Sequence, residues 1–335
     1  MKGFFKYYGK RVMWYLLTLI IAVMLNFLLP RLMPGDPVKQ IATQATQGVT
    51  DPNAVQRVIE NYTKEFGLDK SVPEQFVIYV GKLFQGDMGV SFSRYPNSVS
   101  EVIGASVGWT LALQIPAIIL GWILGNILGA IAAYVGKWVD KIILPIFMFF
   151  SNTPAFGLAI VFLTVFSVNL GWFPVGGGYG YDLLPSFTPQ FIGSVLHHYM
   201  LPFWTMVIIT IGGQAIGMRS MAIYELNTDY VKYSRFLGIK DGKIIRYVFK
   251  NAMLPQITGL ALSLGGMVAG NLVAEIIFSY PGLGSTMLAA ISTRDYPLLS
   301  GCTLIITIMV LIANLVVELV YGLIDPRIKA TQMEA

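Results

Sequence analysis

A chain of 335 residues that is 55% hydrophobic and only 12% charged is not an ordinary soluble domain, whose charged share is about twice as large. The formal net charge of +5 does not mark a nucleic-acid binder, because the basic residues flank apolar runs, where they orient a membrane protein. The single cysteine, Cys302, excludes a disulfide framework within the chain and reads as a small hydrophobe in an apolar stretch.

A bilayer crossing takes about 20 mostly apolar residues. Six runs reach that length: 12–29, 107–134, 142–170, 201–223, 256–278 and 300–323. The first follows Lys2, Lys6, Lys10 and Arg11, as a signal peptide would. Its apolar stretch is too long and no small-residue cleavage site follows, so an uncleaved first transmembrane helix is expected. Residues 31–106 form a long polar loop with helical patterns over 52–65 and 74–84, expected to fold as a cap on the outer face. Pro116, Pro145 and Pro154 inside the apolar runs are tolerable where neighbouring helices satisfy the backbone. Gly125, Gly129, Gly265 and Gly266 are expected to mark close helix contacts. The loop 171–199 is rich in glycine, proline and aromatic residues and has no lysine or arginine. Its tandem His197-His198 point apart on any regular element and have no carboxylate or cysteine company, so surface histidines are expected there, not a metal site.

Orientation follows from the basic residues. Lys2, Lys6, Lys10, Arg11, Lys137, Lys141, Arg219, Arg327, Lys329 and those of the insert 229–255 fall on one side. Arg31, Lys39, Arg57, Lys64, Lys70, Lys82, Arg94 and Arg294 fall on the other, mostly in a loop long enough to weaken the charge rule. Both termini are therefore expected in the cytoplasm.

The insert carries Lys232, Arg235, Lys240, Lys243, Arg246 and Lys250. Asp229 is expected to cap a short helix whose apolar side includes Tyr230, Tyr233 and Leu237, with Gly238 as a left-handed stop. Asp241 is expected to cap a second helix with Ile244, Ile245, Val248, Phe249 and Ala252 on one stripe and Lys243, Arg246, Tyr247 and Lys250 opposite. Such a helix suits the membrane surface, with its stripe in the lipid interface and Pro255 turning the chain into the fifth span. The aromatic knobs of the first helix instead call for a protein groove.

Polar groups in the apolar runs are candidates for a pathway or gate. These are Asn152, Gln214, Asn271, Glu275 and Asn314. Interhelical hydrogen bonding is the plainer role for the amides. For Glu275, an end-of-helix charge that sets the following turn stands beside a place at the pathway mouth. Glu318, four residues beyond Asn314, reads as glue between helices, and Arg219 as an orientation charge. A transporter or channel working alone predicts a relay of buried ionisable groups or a filter-like repeat, and neither appears. Gly104-Ala105-Ser106-Val107-Gly108 fits a hydrolase elbow, but it opens a helix without the strand that the elbow requires. The chain has no G-x-x-x-x-G-K-[ST] loop for nucleotide.

The insert resembles the cytoplasmic EAA loop of binding-protein-dependent ABC importer permeases, with Gly238 at the glycine and Leu254-Pro255 at the closing pair. Nearly the whole chain is similar to the oligopeptide/dipeptide branch, first-permease type. Pro34-Gly35-Asp36-Pro37 matches its PGDP, Gly67-Leu68-Asp69 its GLD, and Gly86-Asp87-Met88-Gly89-Val90-Ser91 its GDLGxS. Glu275-Ile276-Ile277-Phe278 with Pro281-Gly282-Leu283-Gly284 resembles its ExxFxxPGLG. Arg294-Asp295-Tyr296-Pro297, Asn314, Tyr321 and Asp325-Pro326-Arg327 follow in order. One departure is that the EAA positions read Lys232-Tyr233-Ser234, which makes the docking surface bulkier.

The resemblance implies an all-α, polytopic membrane protein with six transmembrane helices, the type I ABC importer permease fold and an extracytoplasmic cap. It implies a first helix within 1–30, an outer region over 31–106, and a permease core over 107–335 with a coupling loop at 224–255. The chain would be an inner-membrane subunit of a prokaryote and not itself an enzyme. Its partners would be a homologous second permease, two ATPase subunits, an extracytoplasmic solute-binding protein and membrane lipid, with no nucleic acid. The chain would hold no cofactor, since ATP and Mg would be bound by the ATPase subunits. Asp229, Tyr230, Lys232, Tyr233, Ser234, Arg235, Leu237 and Gly238 would couple to the ATPase. The solute implied is a di- or oligopeptide, with an oligosaccharide or a metal complex such as nickel as alternatives.

Overall fold

A computed structural model describes residues 2–32, 52–65, 67–270 and 272–324. Among these the chain is helical, with α1 (Lys2–Leu32), α2 (Pro52–Glu65), α3 (Val72–Phe84), α4 (Val99–Val135) and α5 (Lys137–Asn152). Next comes α6 (Ala155–Phe162), which runs on into a π-helical stretch, Leu163–Asn169. Then follow α7 (Pro189–Leu226), α8 (Asp229–Phe236), α9 (Asp241–Gly270), α10 (Leu272–Ile277), α11 (Leu283–Ser292) and α12 (Tyr296–Ile324). No strand occurs among the described residues; Val90 and Ser98 form an isolated bridge.

Among the described residues, three helices are long and apolar enough to cross a membrane: Val99–Val135, Pro189–Leu226 and Tyr296–Val316. The expected first run appears as the apolar stretch Val12–Leu28 within α1, and the fifth is covered by α9 and α10, which flank Asn271, a residue outside the described ones. The expected third run is not one rod. Its two halves are bent by 102°. Thr153, ahead of Pro154, is extended (φ −77°, ψ 125°), because the proline ring disfavours a helical residue before it.

Helix starts also differ from expectation. Helix α7 begins at Pro189, capped by Thr188, whose side chain accepts from the Phe191 N–H at 3.4 Å, so His197 and His198 lie inside a helix. Pro255 does not turn the chain, since α9 runs through it to Gly270. A proline costs one helical hydrogen bond and a local clash, which surrounding helices can absorb.

The chain forms two compact units. One comprises residues up to Gly108 with Ser285–Met309. There α3 opens on a capping box: the Ser71 N–H and hydroxyl donate to Glu74 at 3.1 and 2.9 Å. Arg31 of α1 donates to Gln75 of α3 at 3.0 Å, and the rings of Phe27 and Phe76 stand 5.1 Å apart.

The other unit comprises Trp109–Gly284 and Val310–Ile328. Helices α4 and α7 meet there along Gly121, Gly125 and Gly129. A Cβ on Gly121 would lie 2.6 Å from Thr210 Cβ, one on Gly125 2.7 Å from Gln214 Cβ, and one on Gly129 would strike the Ala215 backbone. The close contacts expected at Gly125 and Gly129 are therefore present; those expected at Gly265 and Gly266 lie outside what is described. Gly212 of α7 likewise admits the α5 backbone, with Ser151 N 2.8 Å from where its Cβ would be. Arg219 makes a two-pronged bond to Asp140, so it braces α7 on α5. Leu113, Ala117, Ala159, Leu201, Met206, Val207, Phe278 and Tyr280 form the buried apolar core.

Candidate functional site

The insert folds as two helices joined by a sharp stop. Thr228, extended at φ −73° and ψ 157°, is the N-cap residue of α8. Asp229 sits one place later, in the first turn, where a carboxylate favours the helix dipole. Gly238 has φ +69°, the left-handed geometry that glycine adopts without a Cβ clash. The Gly238 N–H donates to the Arg235 carbonyl and the Ile239 N–H to that of Ser234, each at 3.0 Å, closing the last turn.

The apolar side expected from Tyr230, Tyr233 and Leu237 divides. Val231, which that pattern missed, is fully buried among Met218 and Ala222 of α7 and Ile244, Val248 and Ala252 of α9. Tyr230 is half-buried, and its hydroxyl donates to Glu225 Oε2 at 2.7 Å. Burial, then the bond to that carboxylate, raise its phenol above the ordinary value, so it stays a donor. Tyr233, Phe236 and Leu237 are 66%, 85% and 78% exposed. Lys232 pairs with Asp229 at 3.0 Å in a solvent-exposed contact that adds little. Arg235 is exposed and Ser234 half-buried.

The stripe expected to lie in the lipid interface does not. Ile244, Val248 and Ala252 are buried against α7 and Val231, with Phe249 partly buried beside them. A protein surface of matching apolarity is available, so the stripe packs there. The signal for Val231 was present: it is the only aliphatic β-branched residue within Asp229–Phe236.

The pathway candidates are scattered. Asn152 is exposed at the end of α5 and donates to its own helix, at Met148 O, 2.7 Å away. Gln214 occupies the crossing opposite Gly125 and lies 4.0 Å from a Cβ built on Gly259. Asn314 is half-buried on α12. Asn271 and the side chain of Glu318 lie outside the described residues.

Glu275 is fully buried and gathers the turn 281–284 around itself. Its Oε2 accepts from the Gly284 N–H at 2.8 Å, and its Oε1 from Gln114 Nε2 at 3.2 Å. Thr110 also donates to it, while the Thr110 hydroxyl oxygen accepts from the Leu283 N–H at 2.8 Å. A Cβ on Gly282 would lie 2.6 Å from Glu275 Cδ and 2.7 Å from Thr110 Oγ1. The glycines of the turn are there because the carboxylate needs that space.

A second acidic node went unsingled in the sequence. Asp295 is fully buried; its Oδ2 accepts from Ser91 Oγ at 2.5 Å and from Ser93 N and Oγ at 2.8 Å. Its Oδ1 accepts from the Leu298 N–H at 3.1 Å, so the same carboxylate caps α12. The segments 86–91 and 294–297, read above as separate motifs, are thus two halves of one contact. An acidic residue just ahead of an apolar helical run was the available signal.

Ser106, the nucleophile of the apparent hydrolase elbow, lies inside α4, bonded to Val102 O at 3.2 Å and Thr286 Oγ1 at 2.7 Å. His197 and His198 each bond a carbonyl, of Trp172 and Ser194 respectively, at 2.8 Å.

This helical membrane architecture, with a short capped helix set between two long ones, agrees with a direct comparison. Residues 125–330 match the family described as binding-protein-dependent transport system inner membrane component. The chain belongs to that family. A Brucella suis protein whose name marks it as a candidate peptide permease is 32% identical over 323 residues, covering 93% of this chain and 95% of its own. The oligopeptide transport system permease AppB of Bacillus subtilis is 30% identical over 326 residues, covering 96% and 99%. The glutathione transport system permease GsiC of Salmonella typhimurium is 31% identical over 326 residues, covering 96% and 98%. The permease is therefore a multi-pass membrane subunit of an ATP-driven importer and a transport component, not an enzyme. Its family works with an ATPase and a binding protein.

Proposed function

We propose that this permease carries a di- or oligopeptide inward from an extracytoplasmic binding protein, and that α8 is the helix through which an ATPase subunit drives it. The observation that carries the second half is the division of α8. Val231 is sunk into α7 and α9 while Tyr233, Phe236 and Leu237 stand out from the protein. Apolar knobs on a fixed two-turn helix suit a groove in a partner. The basic residues around them, Lys232, Arg235, Lys240, Lys243, Arg246 and Lys250, support a cytoplasmic place for this surface. Closure of an ATPase pair, fuelled by ATP and Mg held there, would push α8 and carry the packed ends of α7 and α9 with it as a rigid body. A homologous second permease would complete the pathway, each permease resting on one ATPase subunit.

Peptide is the solute class favoured because peptide, oligopeptide and glutathione all appear in the relatives' names. An oligosaccharide or a nickel complex has no such support. The test is reconstitution of the whole transporter in liposomes with its binding protein. Labelled tripeptide is expected to enter only with ATP and both soluble partners present. Uptake by the permease alone, or competition by oligosaccharide but not by peptide, would refute the reading.

A further inference from the structure

We propose that Glu225, in the last turn of α7, is the positioning residue that locks α8 against rotation. This rests on α8 being the coupling helix. A helix of eight residues has too few internal hydrogen bonds to hold itself. The loop from α7 is only Asn227 and Thr228, and the exit is a glycine stop. Val231 is the one fully buried side chain of α8, with the Tyr230 ring and Ile239 only partly buried against the same core, so apolar packing holds the helix along one side.

Glu225 supplies a second attachment. Its side-chain Oε2 accepts from the Tyr230 hydroxyl at 2.7 Å, and from Asn251 Nδ2 of α9 at a longer 3.4 Å. Its main-chain carbonyl accepts from Thr228 Oγ1 at 2.5 Å. One residue therefore touches the loop, α8 and α9. Tyr230 and Val231 are neighbours, so they leave the α8 axis about 100° apart. Two attachments at that angle fix the helix about its own axis, where a single one lets it roll. A push on Tyr233, Phe236 and Leu237 then reaches α7 and α9 instead of being spent in turning α8.

The test uses the assembled transporter in lipid discs, with spin labels at Ser220→Cys on α7 and Arg235→Cys on α8 in a Cys302→Ser background. With Glu225 and Tyr230 in place, a single narrow distance distribution is expected, the same with and without ATP–vanadate. Tyr230→Phe and Glu225→Ala are expected to raise a second, displaced conformer about tenfold, the ratio that one hydrogen bond to a charged acceptor supports. Glu225→Gln, which keeps an acceptor, is expected to fall between. An unchanged single distribution in both variants would overturn the proposal by showing that Val231 suffices. Loss of assembly in Tyr230→Phe, which removes only a hydroxyl, would overturn it in favour of an assembly role. Cross-linking of Tyr233→Cys to the ATPase subunit separates the two readings. Its absence removes the docking role of α8, whereas its presence beside unchanged label distances removes the lock alone.

Discussion

Replacing Asp295 tests how the segment 86–98 is held to the start of α12. The wholly buried carboxylate accepts four hydrogen bonds, from Ser91 Oγ, Ser93 N, Ser93 Oγ and Leu298 N. Asp295→Ala strands those donors and removes the cap. A hydrogen bond to a charged acceptor contributes ~1.5–3 kcal/mol, and a lost cap costs about 1 kcal/mol. The bonds share one acceptor and do not add; stranding the neutral donors costs ~1–3 kcal/mol, which with the lost cap makes ~2–4 kcal/mol. That range is expected for Asp295→Ala. Asp295→Asn keeps the shape but has one oxygen, which can serve the serines or Leu298 but not both. Its amide can donate to the serine hydroxyls but leaves the Ser93 or the Leu298 N–H unanswered, so a loss of ~1–3 kcal/mol is expected. The assay is SDS-driven unfolding in mixed micelles, followed by tryptophan fluorescence. Ser91→Ala and Ser93→Ala each remove one bond to the carboxylate and serve as partial controls at ~1.5–3 kcal/mol. Asp295→Asn within ~0.5 kcal/mol of the native chain would refute the reasoning.

At the insert, Tyr233→Asp or Gly238→Pro is expected to leave membrane insertion intact and ATP hydrolysis running while uptake falls. Proline cannot reach the φ of +69° that Gly238 holds, and full transport by both variants would count against docking through α8. Gly282→Ala places a methyl 2.6 Å from Glu275 Cδ and is expected to destabilise by ~1–3 kcal/mol in the same SDS titration. Arg219→Ala and Asp140→Ala are expected to be coupled by at least ~1 kcal/mol in a double-mutant cycle; simple additivity would show that the two-pronged contact adds nothing to the α5–α7 packing.

Local chemistry was legible and tertiary choice was not. The helix over 52–65 and the left-handed stop at Gly238 were read from residues whose cause lies within a few positions, and both appear. Pro255 was read as a turn because proline breaks an isolated helix, yet neighbouring helices carry α9 through it. The stripe Ile244, Val248, Ala252 was read correctly as apolar and wrongly as lipid-facing, because periodicity reports that a face is buried and not what buries it. Tyr230 was grouped with Tyr233 by spacing, whereas Glu225, five residues earlier, draws it inward. The Ser91–Asp295 contact joins positions 204 residues apart, a separation that no local pattern encodes. Family resemblance reached further than periodicity, since it named both segments as motifs without saying that they touch.

The run of Gly121, Gly125 and Gly129 constrains where a solute can travel. Along that seam the α4 backbone lies against Thr210, Gln214 and Ala215 of α7 at distances that leave no room for even one methyl group. Neither a peptide nor a file of water fits between α4 and α7 unless the two helices separate. The pair therefore behaves as a single beam, and any channel for cargo must open along its other flanks.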